Sequence, residues 1–164
     1  AIECPDPVII FEPKRRYWLK GEVDFNDTSF DPFSAQVVRE GTDATIVAYG
    51  PLVPVALAAA EAAVEDGRSI EVIDLRSISP LDVPTVAASV AKTGRLIVAH
   101  EAPTFGGMGG ELAAAITERC FYSLQAPVIR VGGYYMPYPV SRVEEEYVPD
   151  IDRILEAVDR AFDY

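Results

Sequence analysis

Histidine and cysteine are scarce in this sequence, and their scarcity limits the chemistry that it can support. The 164 residues include one histidine, His100, and two cysteines, Cys4 and Cys120. Two cysteines so far apart form neither a disulfide framework nor a CxxC motif, so we expect free thiols in a reducing compartment. One histidine and two distant cysteines are too few ligands for a metal site, and no nucleophile-elbow motif surrounds any serine. We therefore predict neither a metal site nor hydrolase chemistry.

Basic residues and long apolar runs are also few. The chain has 14 Lys and Arg residues against 26 Asp and Glu residues, which gives a formal net charge of −12. This charge repels nucleic acid, whereas it suits a basic partner protein. No apolar run approaches the roughly 20 residues that a membrane span requires, and no signal-peptide pattern opens the chain. We expect a soluble protein with no nucleic-acid or membrane partner.

Length and composition predict one domain that follows a short leader. With 49% apolar residues, the chain can fill one α/β core and is too short for two full domains. It lacks an initiator methionine and has a strand-like run at Ile9–Phe11, so we expect a fragment whose leader, Ile2–Trp18, forms no central strand of the body. Gly21–Pro32 is polar and turn-rich, which predicts a linker.

The body alternates strand and helix signals. Apolar runs of strand length, separated by Ala-rich or amphipathic stretches with Gly, Pro and Asp at their ends, predict buried strands with helices between them. The predicted central strands are Ala44–Tyr49, Ile70–Ile73, Leu96–Ala99 and Val128–Val131. The predicted helices are Val53–Val64, Asp82–Ala91 with Asp82 as the cap, Glu111–Phe121 and Ile151–Phe162.

This alternation predicts an α/β fold with three layers, α/β/α. Strands separated by helices favour parallel pairing with right-handed crossovers and helices on both faces of the sheet. Ala35–Val38 is added as an antiparallel edge strand, which makes a five-stranded, mostly parallel sheet. The last helix should turn five side chains inward: Ile151, Ile154, Leu155, Val158 and Phe162.

The segment after the third central strand, residues 100–111, is the best candidate for a site. Ligands of open α/β sheets collect at the carboxyl ends of strands, and Gly106, Gly107 and Gly109 would let backbone amides approach an anion. However, the spacing is not GxGxxG, a P-loop lysine is absent, and Glu111 would repel a bound phosphate. A compact turn at residues 106–110 is the competing interpretation.

His100 and Glu101 form the second possible feature of this segment. A histidine beside a carboxylate can act as a general acid–base pair, because histidine titrates near neutral pH. Adjacent strand residues point to opposite faces of a sheet, which favours a structural or interface role for His100.

Residues 132–149 combine four tyrosines with Met136 and several prolines. Aromatic and Met side chains on a proline-stiffened loop are typical of protein interfaces, so Tyr134 and Tyr138 are candidate partner contacts. Packing of this loop on its own domain is the alternative. Glu144–Glu146 is interpreted as a solvated face that could meet basic residues of a partner.

Several motifs resemble one known family nearly end to end. FEPK at 11–14 with Tyr17 resembles the end of the pyrimidine-binding domain in beta subunits of the decarboxylating component of 2-oxoacid dehydrogenase complexes. GTDATIVAYG at 41–50, EVIDLR at 71–76 and SPLD at 79–82 resemble the transketolase-type carboxy-terminal domain that follows it. KTGR at 92–95, HEAP at 100–103, and AP at 126–127 with RV at 130–131 resemble the branched-chain members in particular.

The resemblance implies a division of the chain and of the enzyme. Residues 1–20 would be the tail end of the pyrimidine-binding domain, residues 21–34 a linker and residues 35–164 the transketolase-type carboxy-terminal domain. The family implies an alpha2beta2 enzyme that decarboxylates a branched-chain 2-oxoacid on thiamine diphosphate and acylates the lipoyl group of an acyltransferase. Thiamine diphosphate and the activating glutamate would belong to parts outside this chain, which should bind no cofactor and be inactive alone.

For this domain the resemblance implies assembly and docking. The implied partners are the alpha subunit, a second beta subunit and the basic subunit-binding domain of the dihydrolipoyl acyltransferase, in the bacterial cytoplasm or the mitochondrial matrix. By position, Tyr164 and Gln125 are docking candidates, although many relatives have an acidic residue at the latter. No residue is predicted to be catalytic, cofactor-binding or metal-binding. The alternatives are a pyruvate or acetoin dehydrogenase beta subunit, a transketolase, or a stand-alone anion-binding module that uses residues 106–110.

Overall fold

The computed structural model describes residues 4–22, 24–26 and 31–164. The chain divides into two compact units, Ala1–Phe30 and Asp31–Tyr164. Ile2 of the predicted leader and residues 23 and 27–30 of the predicted linker lie outside the described residues.

The described part of the first unit has one short 3-10 helix, Lys14–Arg16, and no β-strand. The described residues of the leader form no central strand of the body, as predicted, and the side chains of the strand-like run Ile9–Phe11 are exposed. A strand needs a neighbouring strand to satisfy its backbone hydrogen bonds, and the described part of this unit provides none.

The second unit is built on a five-stranded sheet. In chain order its strands are β1 (Gln36–Arg39), β2 (Ala44–Ala48), β3 (Ile70–Asp74), β4 (Leu96–Pro103) and β5 (Ile129–Gly133). They lie side by side in the order β1-β3-β2-β4-β5. β1 pairs antiparallel with β3, and the other three pairs are parallel. The predicted sheet, with its antiparallel edge strand, is confirmed.

Helices cover both faces of this sheet. They are α1 (Val53–Ala62), α2 (Val83–Thr93), α3 (Met108–Cys120), the short α4 (Glu144–Tyr147) and α5 (Ile151–Phe162). α1 and α5 contribute to a core on one face, and α2 and α3 contribute to a core on the other. Successive side chains of a strand point to opposite faces, and in β2 Ile46 enters the first core while Val47 enters the second. The predicted three layers are confirmed.

The ends of the helices follow from local side-chain chemistry. Asp82 precedes α2 and its carboxylate accepts a hydrogen bond from the Thr85 amide at 3.1 Å, as its predicted capping role requires. Gly94 ends α2 with a φ of 72°, which favours glycine. α5 has the predicted bounds, but Ile151 in its first turn is exposed and Ala157 is buried instead. The prediction that Ile151 points inward is therefore wrong, because the helix turns this first residue away from the core.

One ion pair crosses from the sheet to α2. The carboxylate of Glu71, which is only 1% exposed, accepts hydrogen bonds from Lys92 and, at 3.3 Å, from the amide of Gly41. Burial alone would raise the pKa of this carboxyl, but the hydrogen bonds from Lys92, Ser89 and Gly41 outweigh burial and hold the pKa below its ordinary value of 4.5. Glu71 is therefore ionised at neutral pH and depends on Lys92 for compensation.

Candidate functional site

The glycine-containing segment lies at the carboxyl end of β4, as predicted, but with different bounds. β4 continues to Pro103, so His100 and Glu101 belong to the strand rather than following it. α3 begins at Met108, so Gly109 is helical. The prediction of a loop at 106–110 is therefore wrong for its second half. Gly109 and Gly110, which were predicted to be turn residues, belong to the first turn of α3.

His100 is fully buried beneath this loop. Its Nδ1 donates a hydrogen bond to the carbonyl of Ala102 at 2.8 Å, and its Nε2 has no hydrogen-bond partner among the described residues. Burial lowers the pKa of the imidazole, which is therefore neutral at pH 7. The ring centroid lies 6.2 Å from that of Tyr49. The neutral ring of His100 is therefore a packed side chain of the interior. Glu101 beside it is half-buried.

The glycines of this segment are explained by the approach of His100. A Cβ on Gly107 would lie 2.7 Å from Cε1 of the ring and 2.4 Å from the carbonyl oxygen of Pro103, and a Cβ on Gly109 would lie 2.6 Å from Nε2. Gly106 has a φ of 71° and faces open space. The imidazole occupies the space below Gly107 and Gly109, so the geometry favours a compact turn over an anion-binding loop.

The tyrosine-rich segment is partly anchored to its own domain and partly exposed. Tyr147 is buried, and its ring lies 5.0 Å from that of Tyr138 and 6.4 Å from that of Tyr134, in edge-to-face arrangements. Tyr134, Tyr138 and especially Tyr135, which is 78% exposed, keep surface open to solvent. Part of the segment therefore packs on its own domain, which was the alternative interpretation, and contact of its exposed tyrosines with a partner stays a prediction.

The structure joins the two candidate segments through a pair that the sequence did not suggest. The ring of Phe105, from the loop after β4, lies 4.8 Å from that of Tyr135, which follows β5. β4 and β5 are parallel neighbours, so their carboxyl ends meet at one edge of the sheet. We call this exposed surface the aromatic edge, and it consists of Phe105, Tyr134, Tyr135, Met136 and Tyr138.

Gln125 lines a depression in the surface of the second unit. This α3 groove, of about 1220 Å³, lies between the end of α3 and the start of β5 and is lined by Ala113, Ala114, Thr117, Glu118, Phe121, Tyr122, Leu124, Gln125, Ala126, Pro127 and Val128. Tyr122 is 99% exposed at its rim. Tyr164 lines a neighbouring cavity that shares Pro127 and Val128 with the groove. Gln125 and Tyr164 therefore line neighbouring depressions, and no member of the aromatic edge lines either of them.

The described residues contain neither a candidate metal site nor a candidate membrane span. Within residues 4–22, 24–26 and 31–164, no group of three or more His, Cys, Asp and Glu side chains is arranged to hold a metal ion. In the same residues, no helix has the length and apolar character needed to cross a membrane.

Comparison with known proteins identifies the family. Residues 34–154 match the family described as transketolase, C-terminal domain. The chain belongs to this family. The match covers nearly all of the second unit, and it confirms the transketolase-type resemblance seen in the motifs.

Relatives of this transketolase-type chain carry two kinds of name. It is 56% identical to the "Pyruvate dehydrogenase E1 component subunit beta" of Leifsonia xyli, over 100% of this chain and 49% of the relative. It is 50% identical to the "3-methyl-2-oxobutanoate dehydrogenase subunit beta" of Mycobacterium tuberculosis, over 98% of this chain and 46% of the relative. The chain spans about half the length of these curated relatives. The predicted resemblance to 2-oxoacid dehydrogenase beta subunits is confirmed, while the names divide between the pyruvate and branched-chain types.

A solved structure supports the same fold. The structure of a split-gene transketolase, described as an inactive beta4 tetramer, superimposes with a TM-score of 0.70 over 87% of this chain and 46% of that chain, at 30% sequence identity.

Proposed function

We propose that this chain is the carboxy-terminal domain of the beta subunit of a thiamine-diphosphate-dependent 2-oxoacid dehydrogenase, and that it contributes assembly and docking surfaces. The observation that carries the proposal is the end-to-end match to proteins named as such beta subunits. The whole alpha2beta2 enzyme would decarboxylate a 2-oxoacid and acylate the lipoyl group of an acyltransferase. It would work in the cytoplasm of a bacterium or the mitochondrial matrix of a eukaryote.

The described residues do not fit thiamine diphosphate. A diphosphate bound through Mg²⁺ needs protein oxygen ligands beside glycine-rich or helix-terminal amides. Among residues 4–22, 24–26 and 31–164 no cluster of carboxylates provides such ligands, and the imidazole of His100 fills the space below the glycine turn. We place the cofactor in parts of the enzyme outside this chain, and we expect the chain alone to release no CO₂ from a 2-oxoacid.

The α3 groove is the proposed docking site for the basic subunit-binding domain of the dihydrolipoyl acyltransferase. The groove combines apolar walls with the exposed rings of Phe121 and Tyr122 and the carboxylate of Glu118 at its border. Large aromatic side chains around an apolar depression are typical of binding hot spots, and the net charge of −12 attracts a basic partner. Gln125 and Tyr164 lie in and beside the groove, as their proposed docking role requires.

The aromatic edge is the proposed contact surface for the alpha subunit or the second beta subunit. Its members are rigid aromatic side chains and one methionine, which lose little conformational entropy on binding. Phe105 and Tyr135 already pack against each other, so this part of the surface is ordered before a partner arrives. Replacing Tyr135 with serine should leave the fold intact and weaken alpha2beta2 assembly in native mass spectrometry. Unchanged assembly would contradict the proposal that the aromatic edge contacts another subunit.

For the substrate we propose the branched-chain type, on the motifs HEAP at 100–103 and KTGR at 92–95. The 56% identity to a protein named as a pyruvate dehydrogenase subunit favours pyruvate as the second candidate. Steady-state assays of the intact alpha2beta2 enzyme with 3-methyl-2-oxobutanoate and pyruvate decide between them. A higher kcat/KM for 3-methyl-2-oxobutanoate is expected, and a higher value for pyruvate would replace the branched-chain proposal with the second candidate.

A further inference from the structure

A polar cleft runs along the outer edge of β5, between the loop after β4 and helix α5. It consists of two adjoining cavities of about 400 and 240 Å³, and Thr104, Arg130 and Arg160 line both of them. β5 is the last strand of the sheet, so its outer edge has no neighbouring strand in the described part of the chain. We call this surface the arginine cleft.

The arginine cleft is positively charged, although the chain as a whole is strongly acidic. Among the described residues that line its larger cavity, Arg130, Arg153 and Arg160 are basic and Glu156 alone is acidic. The chain as a whole has 26 acidic residues against 14 basic ones. Three guanidinium groups with one carboxylate therefore form a local reversal of the overall charge.

Arg153 uses its guanidinium to hold the domain together. It donates hydrogen bonds to the carbonyl oxygens of Tyr147, at 3.2 Å, and Gly132, and it lies 4.6 Å above the ring of Tyr134. These contacts fix the segment between β5 and α5, and no carboxylate in the described part of the chain pairs with Arg153. Arg153 therefore adds positive potential to the cleft without serving as its main donor.

Arg160 has donors to offer a ligand. Glu156 precedes it by four residues, a spacing that commonly forms an ion pair on a helix, yet no hydrogen bond or ion pair joins Arg160 to any residue in the described ranges. Arg130 donates one hydrogen bond, from Nη1 to the carbonyl oxygen of Thr104 at 3.1 Å. Most N–H groups of these two guanidinium groups therefore have no hydrogen-bond partner among the described residues.

The first turn of α3 adds to the positive potential. A Cβ on Gly110 would lie 3.4 Å from Nη1 of Arg130, so this guanidinium sits against the amino-terminal end of α3. The helix dipole is positive there and repels a cation, and Glu111 in the same turn offsets part of this repulsion. A bound anion would be stabilised by Arg130, the helix end and Arg160 together, and Glu111 would oppose it in part.

We infer that the arginine cleft binds a small oxyanion that carries phosphate or carboxylate groups. Guanidinium groups match both chemistries through paired N–H donors, and the larger cavity is within the size range of small-ligand sites. Arg130 and Arg160 are the principal donors, and the hydroxyl of Thr104 lies in the wall that both cavities share. The cleft adjoins both proposed protein contacts, because Tyr134 and Tyr135 of the aromatic edge line its larger cavity and Tyr164 lines its smaller one. The inference does not depend on the proposed function.

The test is NMR titration of the ¹⁵N-labelled chain with pyrophosphate and, separately, with citrate, at constant ionic strength set with chloride. The amides of Thr104, Gly132 and Gly133 should shift in a saturable manner with at least one of the two anions. Pyrophosphate alone identifies a phosphate site, and citrate alone identifies a carboxylate site. Arg160→Gln and Arg130→Gln should each weaken binding roughly tenfold or more, as expected for loss of hydrogen bonds to a charged group.

Arg119→Gln is the matched control, because Arg119 is an exposed arginine near the end of α3 and outside the cleft. It should bind the anion as the unchanged chain does, and preserved dispersion of the spectra shows that each variant folds. Three results would overturn the inference: no saturable shift at the cleft amides with either anion, equal weakening by Arg119→Gln, or a response at those amides to an oligoglutamate peptide only. The last result would make the cleft a protein-docking surface.

Discussion

Replacing Lys92 with methionine should destabilise the domain by about 2 kcal/mol at pH 7. The change removes the ammonium group that compensates the buried carboxylate of Glu71. Removing one partner of a fully buried ion pair costs about 3–5 kcal/mol, and we expect roughly half of that because the Lys92 side chain is 43% exposed and admits water. For a domain of this size, about 2 kcal/mol corresponds to a fall in Tm of about 4–8 °C.

The sign of the pH dependence follows from the lowered pKa of Glu71. A carboxyl whose pKa is lower in the folded state stabilises that state above its unfolded pKa, and this contribution is lost as the pH falls through the folded pKa. The methionine variant lacks the contribution, so the difference in free energy of unfolding between it and the unchanged chain should shrink from pH 7 towards pH 3.

Urea unfolding followed by circular dichroism at pH 7 and at lower pH measures both effects. Glu40→Gln is the control, because Glu40 also bonds to Lys92 but its side chain is 81% exposed, so it should change stability by less than about 0.5 kcal/mol. A methionine variant as stable as the unchanged chain at pH 7, or a difference that does not shrink with falling pH, would refute this account of Glu71.

Other predictions concern glycine packing and helix capping. Gly109→Ala should lower the free energy of unfolding by about 2 kcal/mol or more, because its Cβ would lie 2.6 Å from Nε2 of His100. Gly110→Ala, in the same helical turn with its nearest contact at 3.4 Å, should be neutral or stabilising by up to about 1 kcal/mol, and equal effects of the two changes in thermal unfolding would contradict this packing. Asp82→Ala should destabilise by about 1 kcal/mol in urea titrations through loss of its hydrogen bond to Thr85, and no loss would show that the cap is unimportant.

The fold could be predicted because its central strands are largely apolar runs that are buried on both faces of the sheet. β2 is buried along its whole length, which an unbroken run such as ATIVA requires, and the helices between the strands force parallel pairing. Ile9–Phe11 has a similar apolar composition but no strand beside it in the described part of its unit, so the run forms no strand there.

The site was less predictable, because its contacts join residues that are distant in sequence. Gly109 was read as part of a turn, whereas the fold places the ring of His100 where its Cβ would be. The pair of Phe105 and Tyr135 needs the knowledge that β4 and β5 are neighbours. Arg130 and Arg160 face one cleft only because α5 returns to the edge of β5, and nothing local in either segment signals that meeting.

The central claim, that this domain docks the acyltransferase, is tested most directly by calorimetric titration of the chain with the acyltransferase's subunit-binding domain. We expect saturable binding that weakens at high salt, weakens at least roughly tenfold with Tyr122→Ala or Tyr164→Ala, and is unchanged by Tyr138→Ala on the aromatic edge. Absence of binding, or equal weakening by all three changes, would contradict the docking role. Subunit assembly would then be the one proposed role that remains for this domain.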